Sequence, residues 1–312
     1  MSPPVGIVGG GAFGRSLATA AARVDRSVIN WSRTPRDSEH PKVTVSSDLA
    51  SLRAAELVFL AVPSPHVPAL CHELGRHLDG GHLVVHVSRG LVGDELETLT
   101  EVIRETTPVR RVGALAGPLV ARGLAEGEPG GGIVGTLFPE IAEAVRDALG
   151  GPTLRIYDTN DVIGVELASA FVGLVTLAMG YAKAAGFGPG TLSVLATRGM
   201  AEATRVIEAR GGSARTCSGL AGFGDLLAAM AEDGRPELEL GRALAAGESL
   251  DQAASRLGAY VEGVRIAEQI LHFGSRNQVQ TPLAATMAGL MDGTLDKTQA
   301  AAALMRRPSR GE

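Results

Sequence analysis

Short apolar runs alternate with stretches of helical spacing over the first half of the chain. Apolar runs of about four to eight residues are typical of strands buried in a parallel sheet, and apolar positions three or four apart are typical of helices packed on it. We predict strands at residues 5–8, 27–31, 57–62, 83–87, 112–115, 133–136 and 154–157, and helices at residues 15–22, 68–78 and 94–105. This alternation predicts an α/β fold with a doubly wound parallel sheet.

The second half of the chain has helical periodicity and no further strand signal. Its longest uncharged stretch, residues 167–182, is short for a membrane span and predicts a buried helix, and Glu166 beside it is predicted to be a buried, hydrogen-bonded carboxylate. Residues 158–312 are therefore predicted to form an all-helical domain. The helices predicted in it run from the candidate N-caps Asp158, Thr159 and Asn160 to about Ala185, over residues 191–210, from Asp225 onward, and around residues 261–271.

A glycine-rich turn joins the first predicted strand to the first predicted helix. Gly9, Gly11 and Gly14 have the G-x-G-x-x-G spacing. In such a unit the first glycine permits the tight turn, the second lets backbone approach a pyrophosphate, and the third lets the helix pack closely on the strand. The first N–H groups of the helix point at the phosphates. Residues 1–157 are therefore predicted to be a dinucleotide-binding domain of the Rossmann type.

The end of the second predicted strand bears on the choice of dinucleotide. A site for NAD usually has an acidic residue there, which binds the adenosine ribose. This chain has Asn30, Trp31, Ser32 and Arg33, with no carboxylate among them. Because a hydroxyl and a guanidinium can bind the 2′-phosphate of NADP, NADP(H) is the predicted cofactor and NAD the alternative.

Three further loops follow predicted strands at the edge where open α/β sheets bind ligands. Pro63, Arg89 and Gly117 lie in these loops, and we expect them to line the site. The glycine-rich stretch at residues 127–132 is predicted to be a connection into the next strand, because no helix follows it directly.

Composition and charge favour a globular protein that acts on a small molecule. The chain has 312 residues, is 45% hydrophobic and 20% charged, and has a formal net charge of −5. Nothing in this balance indicates a nucleic-acid or membrane partner. Cys71 and Cys217 are predicted to be free thiols, and the histidines between residues 66 and 86 lack metal-ligand spacing, so no metal site is predicted. The amino terminus lacks the basic region of a signal peptide, so we expect a cytoplasmic protein.

Several motifs together resemble the NAD(P)-dependent sn-glycerol-3-phosphate dehydrogenases of bacterial type, over residues 5–305. That family joins a Rossmann domain to an all-helical domain and interconverts dihydroxyacetone phosphate and sn-glycerol 3-phosphate by hydride transfer in the cytoplasm. The resemblance implies the same architecture and reaction class here. The matching motifs are G-G-G-A-F-G at 9–14, W-S-R at 31–33, A-V-P-S at 61–64, A-G-P at 116–118, D-V-I-G-V-E-L at 161–167, T-R-G-M-A-E at 197–202, L-A-G-F-G-D at 220–225 and V-E-G at 261–263.

The resemblance also implies contacts at particular positions. It places Gly117 beside the substrate, and because family members often form dimers, it implies a homodimer. The cofactor contacts that it implies come from Ala12, Phe13, Arg33, Ala121 and Glu262.

The polar residues of the substrate site depart from the family pattern. Where the family has its catalytic Lys-Asn pair, this sequence has Val172 and Gly173, and a second family lysine is replaced by Arg89. Asp225 matches the family, and Arg235 is the nearest match to an arginine that grips the substrate phosphate. We therefore expect Arg89 and Asp225 to act in catalysis and Arg235 to bind substrate.

Three functions remain open from the sequence. The first is an NADP-dependent dehydrogenase of glycerol 3-phosphate or dihydroxyacetone phosphate, with Arg89 and Asp225 in unusual roles or a lysine supplied from elsewhere. The second is a reductase of an imine or a non-phosphorylated carbonyl compound, for which a lysine is unnecessary. The third is a catalytically silent NADP-binding protein that senses or binds a partner. The retained cofactor loops and Asp225 favour an enzyme.

Overall fold

The first half of the molecule is built on a single eight-stranded sheet. The computed structural model describes residues 2–300, apart from 39, 233, 259 and 297, together with residue 303. The strands are β1 (Val5–Val8), β2 (Val28–Trp31), β3 (Val43–Ser46), β4 (Leu57–Leu60), β5 (Leu83–His86), β6 (Arg111–Ala116), β7 (Gly130–Thr136) and β8 (Leu154–Thr159). Their order across the sheet is β3-β2-β1-β4-β5-β6-β7-β8. All neighbours are parallel except β6 and β7, which are antiparallel.

Five helices cover both faces of this sheet, which is why its central strands are apolar throughout. β1, β4 and β5 are fully buried. The first, fourth and fifth helices share an apolar core with one face, and the second and third share a core with the other. These helices are α1 (Ala12–Arg23), α2 (Val67–Leu74), α3 (Leu99–Thr106), α4 (Ala121–Glu126) and α5 (Pro139–Leu149).

The second half is helical and is organised around one long apolar helix. This helix, α6, is long and apolar enough to cross a membrane, but 89% of its apolar window is buried inside the protein. It is therefore the core helix of this half, as the sequence predicted. The helices are α6 (Val162–Ala184), α7 (Pro189–Ala209), α8 (Ala214–Cys217), α9 (Asp225–Ala231), α10 (Pro236–Ala245), α11 (Leu250–Leu257), α12 (Glu262–Asn277) and α13 (Pro282–Met291).

The predicted Rossmann-type sheet followed by an all-helical part is confirmed, with differences of detail. The sheet is mostly rather than wholly parallel, because β7 runs antiparallel to β6. The stretch predicted as a connection at residues 127–132 enters β7 already at Gly130. The predicted helix at residues 94–105 begins only at Leu99, where Thr98 forms a capping box with Glu101. The domain boundary at residue 157 stays a prediction.

The long helix begins later than its candidate caps. Asp158 and Thr159 belong to β8, and Asp161 is the N-cap, accepting a hydrogen bond from the Gly164 N–H at 3.0 Å. The three predicted caps, Asp158, Thr159 and Asn160, are therefore wrong, because β8 extends through Thr159 and moves the start of the helix to Asp161. In the sheet half, three elements were not predicted: β3, α4 and α5. In the helical half, α8, α10, α11 and α13 were not predicted as separate helices.

Candidate active site

A cleft of about 250 Å³ opens where the carboxyl ends of β4, β5 and β6 meet α6, α10 and α12. We call it the strand-end cleft. Five predicted site residues line it: Phe13, Pro63, Arg89, Gly117 and Glu262. Four further polar residues of the lining were not predicted: Ser88, Ser169, Glu237 and Tyr260.

The glycine-rich turn beside the strand-end cleft has the form that a dinucleotide needs. Gly9 has a φ of 137°, and a Cβ there would lie 2.2 Å from a carbonyl oxygen just past β4, so the turn requires glycine. A Cβ at Gly14 would likewise lie 2.2 Å from the Gly9 oxygen. Gly11 is the N-cap of α1, no side chain caps the helix, and a Cβ there would meet no atom within 4 Å. The first turn of α1, with Ala12 and Phe13, therefore fits a pyrophosphate at its N–H groups.

The end of β2 is tied to this turn by a buried amide. The Asn30 side chain is 4% exposed and donates hydrogen bonds to the carbonyl oxygens of Ile7 and Gly9, at 3.2 and 3.0 Å. Ser32 and Arg33 follow directly, and Arg33 is exposed. Asn30 therefore links the end of β2, just before Ser32 and Arg33, to the glycine-rich turn, and no role was predicted for it from the sequence.

Glu262 links the helical half to the binding edge of the sheet. Its Oε1 accepts a hydrogen bond from the Ser64 backbone N–H at 2.8 Å, and its Oε2 accepts one from the Ser64 hydroxyl at 2.6 Å. Burial raises the pKa of Glu262, and the hydrogen bonds from Ser64 oppose that rise. Glu262 therefore joins the start of α12 to the loop after β4 and also lines the strand-end cleft.

Arg89, Asp225 and Arg235 form one chain of charges, as their predicted shared roles require. Arg89 binds the Asp225 carboxylate with both ends of its guanidinium: Nη1 contacts Oδ2, and Nη2 donates to Oδ1 at 3.1 Å. The Asp225 side chain is 1% exposed, and the Nη2 of Arg235 lies 3.7 Å from its Oδ1. Burial alone would lower the pKa of Arg89, but the charge and hydrogen bonds of Asp225, together with the charges of Glu237 and Glu232, raise the pKa above its usual value. The pKa of Arg235 is lowered by burial and by the repulsion of Arg89.

Glu237, in the first turn of α10, extends this chain of charges into the strand-end cleft. Its Oε2 lies 3.4 Å from the Nε of Arg235, and Glu232 lies 3.6 Å from the Nη1 of the same arginine. The Oε1 of Glu237 lies 4.0 Å from the place that a Cβ would occupy at Gly173. The two arginines therefore share three carboxylates. The signal in the sequence was an acidic residue two positions after Arg235, at the start of a helix.

Close packing of α10 on α6 fixes the direction of Glu237. A Cβ at Gly241 would lie 2.2 Å from the Leu177 carbonyl oxygen, and a Cβ at Gly180 would lie 2.4 Å from the Leu238 carbonyl oxygen. The two helix backbones can approach this closely only because both positions are glycine. The start of α10 is thereby brought to the edge of the strand-end cleft.

Val172 and Gly173, which stand where the family has its catalytic Lys-Asn pair, have surroundings that differ from each other. Val172 is fully buried in the apolar core around α6, whereas Gly173 faces α12 and Glu237. The sequence has only three lysines. Lys42 and Lys183 lie on the surface, and Lys297 lies outside the described residues. In the part of the chain that the structure describes, no lysine lines the strand-end cleft.

The remaining predicted cofactor residues lie beside the strand-end cleft and do not line it. They follow the carboxyl ends of β1, β2 and β6, and Ala121 is the first residue of α4. These residues are Gly9, Gly11, Ala12, Gly14, Ser32, Arg33 and Ala121.

Glu166 has partners of its own away from the strand-end cleft. Its side chain is 1% exposed, and its Oε1 lies 2.8 Å from the Nε2 of His86. It also accepts hydrogen bonds from the Thr100 N–H at 3.1 Å and from the Thr100 hydroxyl at 2.5 Å. Glu166 therefore joins α6 to β5 and α3, which is a structural role.

The other candidate chemistry is limited. Cys71 and Cys217 are buried free thiols. Over the described residues, no group of three or more His, Cys, Asp or Glu side chains could hold a metal ion. A smaller cavity of about 80 Å³ between α6, α7 and α13 has a mainly apolar lining.

Comparison with known proteins agrees with this arrangement. Residues 37–137 match the family model for the N-terminus of NAD-dependent glycerol-3-phosphate dehydrogenase, and residues 161–307 match the model for its C-terminus. A glycerol-3-phosphate dehydrogenase [NAD(P)+] of Anaeromyxobacter sp. (strain K) is 33% identical over 98% of each chain, and one of Pseudomonas syringae pv. tomato is 32% identical over 97% of this chain and 94% of its own length.

A solved structure shows the same fold. The glycerol-3-phosphate dehydrogenase of Coxiella burnetii superposes with a TM-score of 0.92 at 24% identity, covering 98% of this chain and 99% of its own. These relatives make NAD or NADP the cofactor and an oxidoreductase the class of protein. The chain belongs to the NAD(P)-dependent glycerol-3-phosphate dehydrogenase family.

Proposed function

We propose that this oxidoreductase uses NADPH to reduce a small carbonyl compound or imine, related in size to dihydroxyacetone phosphate, in the strand-end cleft. The observation that carries the proposal is the buried Arg89–Asp225 pair, which sets a fixed positive group into a cleft lined by Phe13 and Glu262 of the predicted cofactor site. The family's named reaction supports the same chemistry.

Arg89 has the properties of an electrostatic catalyst. When bound, the cofactor supplies the hydride that the substrate carbon accepts. As a C=O bond is reduced, negative charge develops on oxygen, and a preorganised cation in a partly buried site stabilises it. Asp225 holds two of the five guanidinium N–H groups and so fixes the orientation of Arg89.

The proton for the oxygen has to come from another group. Arginine keeps its proton in proteins and is therefore a poor general acid. Tyr260 is a titratable side chain of the strand-end cleft, and burial raises its pKa, which keeps its phenolic proton available. We assign proton delivery to Tyr260. Gly117 and Arg235 complete the proposed substrate side.

On the cofactor side we propose a preference for NADPH over NADH. Ser32 and Arg33 follow β2 in the place where an acidic residue would select NAD, and Asn30 fixes their position against the glycine-rich turn. The proposed contacts to the rest of the cofactor come from Gly9, Gly11, Ala12, Phe13, Gly14, Pro63, Arg89, Ala121 and Glu262.

The test has two stages. The single tryptophan, Trp31, ends β2 beside Ser32, so energy transfer from it reports binding of NADPH and NADH. The rate of NADPH oxidation is then measured with dihydroxyacetone phosphate, hydroxyacetone and aminoacetone against a blank without ketone. Oxidation above the blank with any ketone supports the proposal. Binding of NADPH without oxidation by any of them contradicts it.

The alternative of a catalytically silent NADP-binding protein has no support in the comparisons, since the matched relatives are named dehydrogenases. On the family resemblance we further propose a cytoplasmic homodimer. Sedimentation of the purified protein at the mass of one chain would contradict the dimer.

A further inference from the structure

The charges around the strand-end cleft are unbalanced in favour of carboxylates. Arg89 is the only basic side chain among the described residues of its lining, and Arg265 lies outside it, exposed beside Tyr260. Contacts join two guanidinium groups, those of Arg89 and Arg235, to three carboxylates, those of Asp225, Glu232 and Glu237, for a formal charge of −1. Glu262 adds a fourth carboxylate to the lining, and the charge of Arg265 acts on it, so the formal charge of the whole set is also −1.

Arg89 and Arg235 already contact carboxylates of the protein. Arg89 directs two N–H groups at the buried Asp225, and Arg235 lies between three carboxylates at 3.4 to 3.7 Å. A phosphate monoester is held by several charge-assisted hydrogen bonds, commonly from guanidinium forks that are open to it. Here an entering phosphate would have to compete with fixed carboxylates and would face Glu237 and Glu262 directly, which is a like-charge contact.

The two carboxylate oxygens of Glu237, a residue of the cleft lining, have different neighbours. Oε2 faces the Nε of Arg235 at 3.4 Å, whereas Oε1 faces α6 at Gly173, where the lack of a side chain leaves room. The side chain of Glu237 is 12% exposed, so its field is only partly screened by water. Arg89 and Glu237 thus give the same cleft one positive and one negative group.

We infer that the substrate carries a protonated nitrogen beside the carbon that is reduced, and that Glu237 binds this nitrogen. The inference rests on the proposed hydride transfer and names its substrate class as small amino ketones or iminium ions. In an amino ketone the carbonyl oxygen faces Arg89 and the ammonium group faces Glu237. In an iminium ion the electron pair of the C=N bond goes to nitrogen as carbon accepts the hydride, so the product is a neutral amine and the enzyme supplies no proton.

The test compares ligands that differ only in charge and needs no turnover. Calorimetric titration of the enzyme–NADPH complex uses 1-amino-2-propanol, its neutral isostere 1,2-propanediol, and glycerol 3-phosphate. We expect the ammonium ligand to bind at least about tenfold more tightly than the diol, and glycerol 3-phosphate to bind more weakly than the ammonium ligand. Glu237→Gln should remove most of the difference between the ammonium ligand and the diol, whereas Glu239→Gln, two residues along the same helix and paired with Arg242, should leave it unchanged.

The outcomes separate this inference from the proposed function. Tighter binding of glycerol 3-phosphate than of the ammonium ligand, or equal binding of the ammonium ligand and the diol, overturns the inference, and so does a preference that persists in Glu237→Gln. The comparison of isosteres in the unmodified enzyme stands even if the variant fails to fold. If dihydroxyacetone phosphate oxidises NADPH and glycerol 3-phosphate binds more tightly than the ammonium ligand, the proposed function stands. Only the inference of a cationic substrate is then overturned.

Discussion

Arg89 and Asp225 are 136 residues apart in the sequence and form a two-point ion pair where the sheet meets the helical half. One partner belongs to the loop after β5 and the other begins α9. Asp225 is almost completely buried, so the ion pair stabilises the contact between the sheet half and the helical half. The pair also holds the guanidinium group of Arg89 at the strand-end cleft.

Replacing Asp225 by asparagine should destabilise the protein measurably. Removing one partner of a buried ion pair costs about 3–5 kcal/mol, and the 21% exposure of Arg89 reduces this to about 2–3 kcal/mol. Urea unfolding measures the change in the free energy of unfolding. Glu239→Gln is the control, because it breaks the half-exposed Arg242 pair and should cost less than about 1 kcal/mol. Equal losses in the two variants would show that the Asp225 pair does not fasten the halves.

Gly11→Ala should separate cofactor binding from folding. A Cβ at Gly11 meets no protein atom within 4 Å, so the free energy of unfolding should change by less than about 1 kcal/mol. The same Cβ would stand where the pyrophosphate approaches, so we expect NADPH binding, followed through Trp31, to weaken by about tenfold or more. Gly188→Ala is a matched control, because Gly188 is also a helix N-cap with open space around it. Unchanged NADPH binding in Gly11→Ala would refute the proposed phosphate site.

Arg33→Ala should lower the affinity for NADPH and leave the affinity for NADH unchanged. A lost charge-assisted contact to the 2′-phosphate is worth about 1.5–3 kcal/mol, or about tenfold or more in the dissociation constant. Arg155→Ala removes the same charge from β8, at the opposite edge of the sheet from β2 and β3, and should affect neither cofactor. A parallel loss of both cofactors in Arg33→Ala would argue against a role in selecting NADP.

The sequence predicted the parts of the fold that have a strong local signal. β1, β4 and β5 are continuous apolar runs because both of their faces are covered, and the glycine spacing marks the turn after β1. β3 was missed because it is only partly buried, so its apolar positions are few. The direction of β7 was missed because an apolar run carries no information on whether its neighbour is parallel.

Sequence motifs named several residues that the structure places at or beside the strand-end cleft, and they did not name residues that only the fold brings there. Arg89, Asp225 and Arg235 were predicted separately, and the structure places them in contact. Glu237 was not predicted, because its place in the strand-end cleft depends on the glycine contact between α10 and α6. Asn30 was seen only as part of a strand end, since its hydrogen bonds cross to β1.

The stabilisation contributed by Cys71 should disappear at high pH. Burial raises the pKa of this thiol to about 12, whereas an unfolded thiol titrates near about 8.5. Because the folded pKa is the higher one, the contribution is complete below the unfolded pKa and is lost as pH rises toward the folded pKa. The advantage of the native protein over Cys71→Ala in unfolding free energy should therefore shrink by about 2 kcal/mol between about pH 8 and about pH 10. A constant difference over that range would contradict the raised pKa.

The most direct measurement is the steady-state rate of NADPH oxidation by the native enzyme and by Arg89→Met, with aminoacetone and with dihydroxyacetone phosphate. If Arg89 stabilises the developing charge and Glu237 binds the substrate nitrogen, kcat/KM is higher for aminoacetone, and Arg89→Met lowers kcat by about 10²–10³-fold. A higher kcat/KM for dihydroxyacetone phosphate, or an unchanged rate in Arg89→Met, would contradict the account.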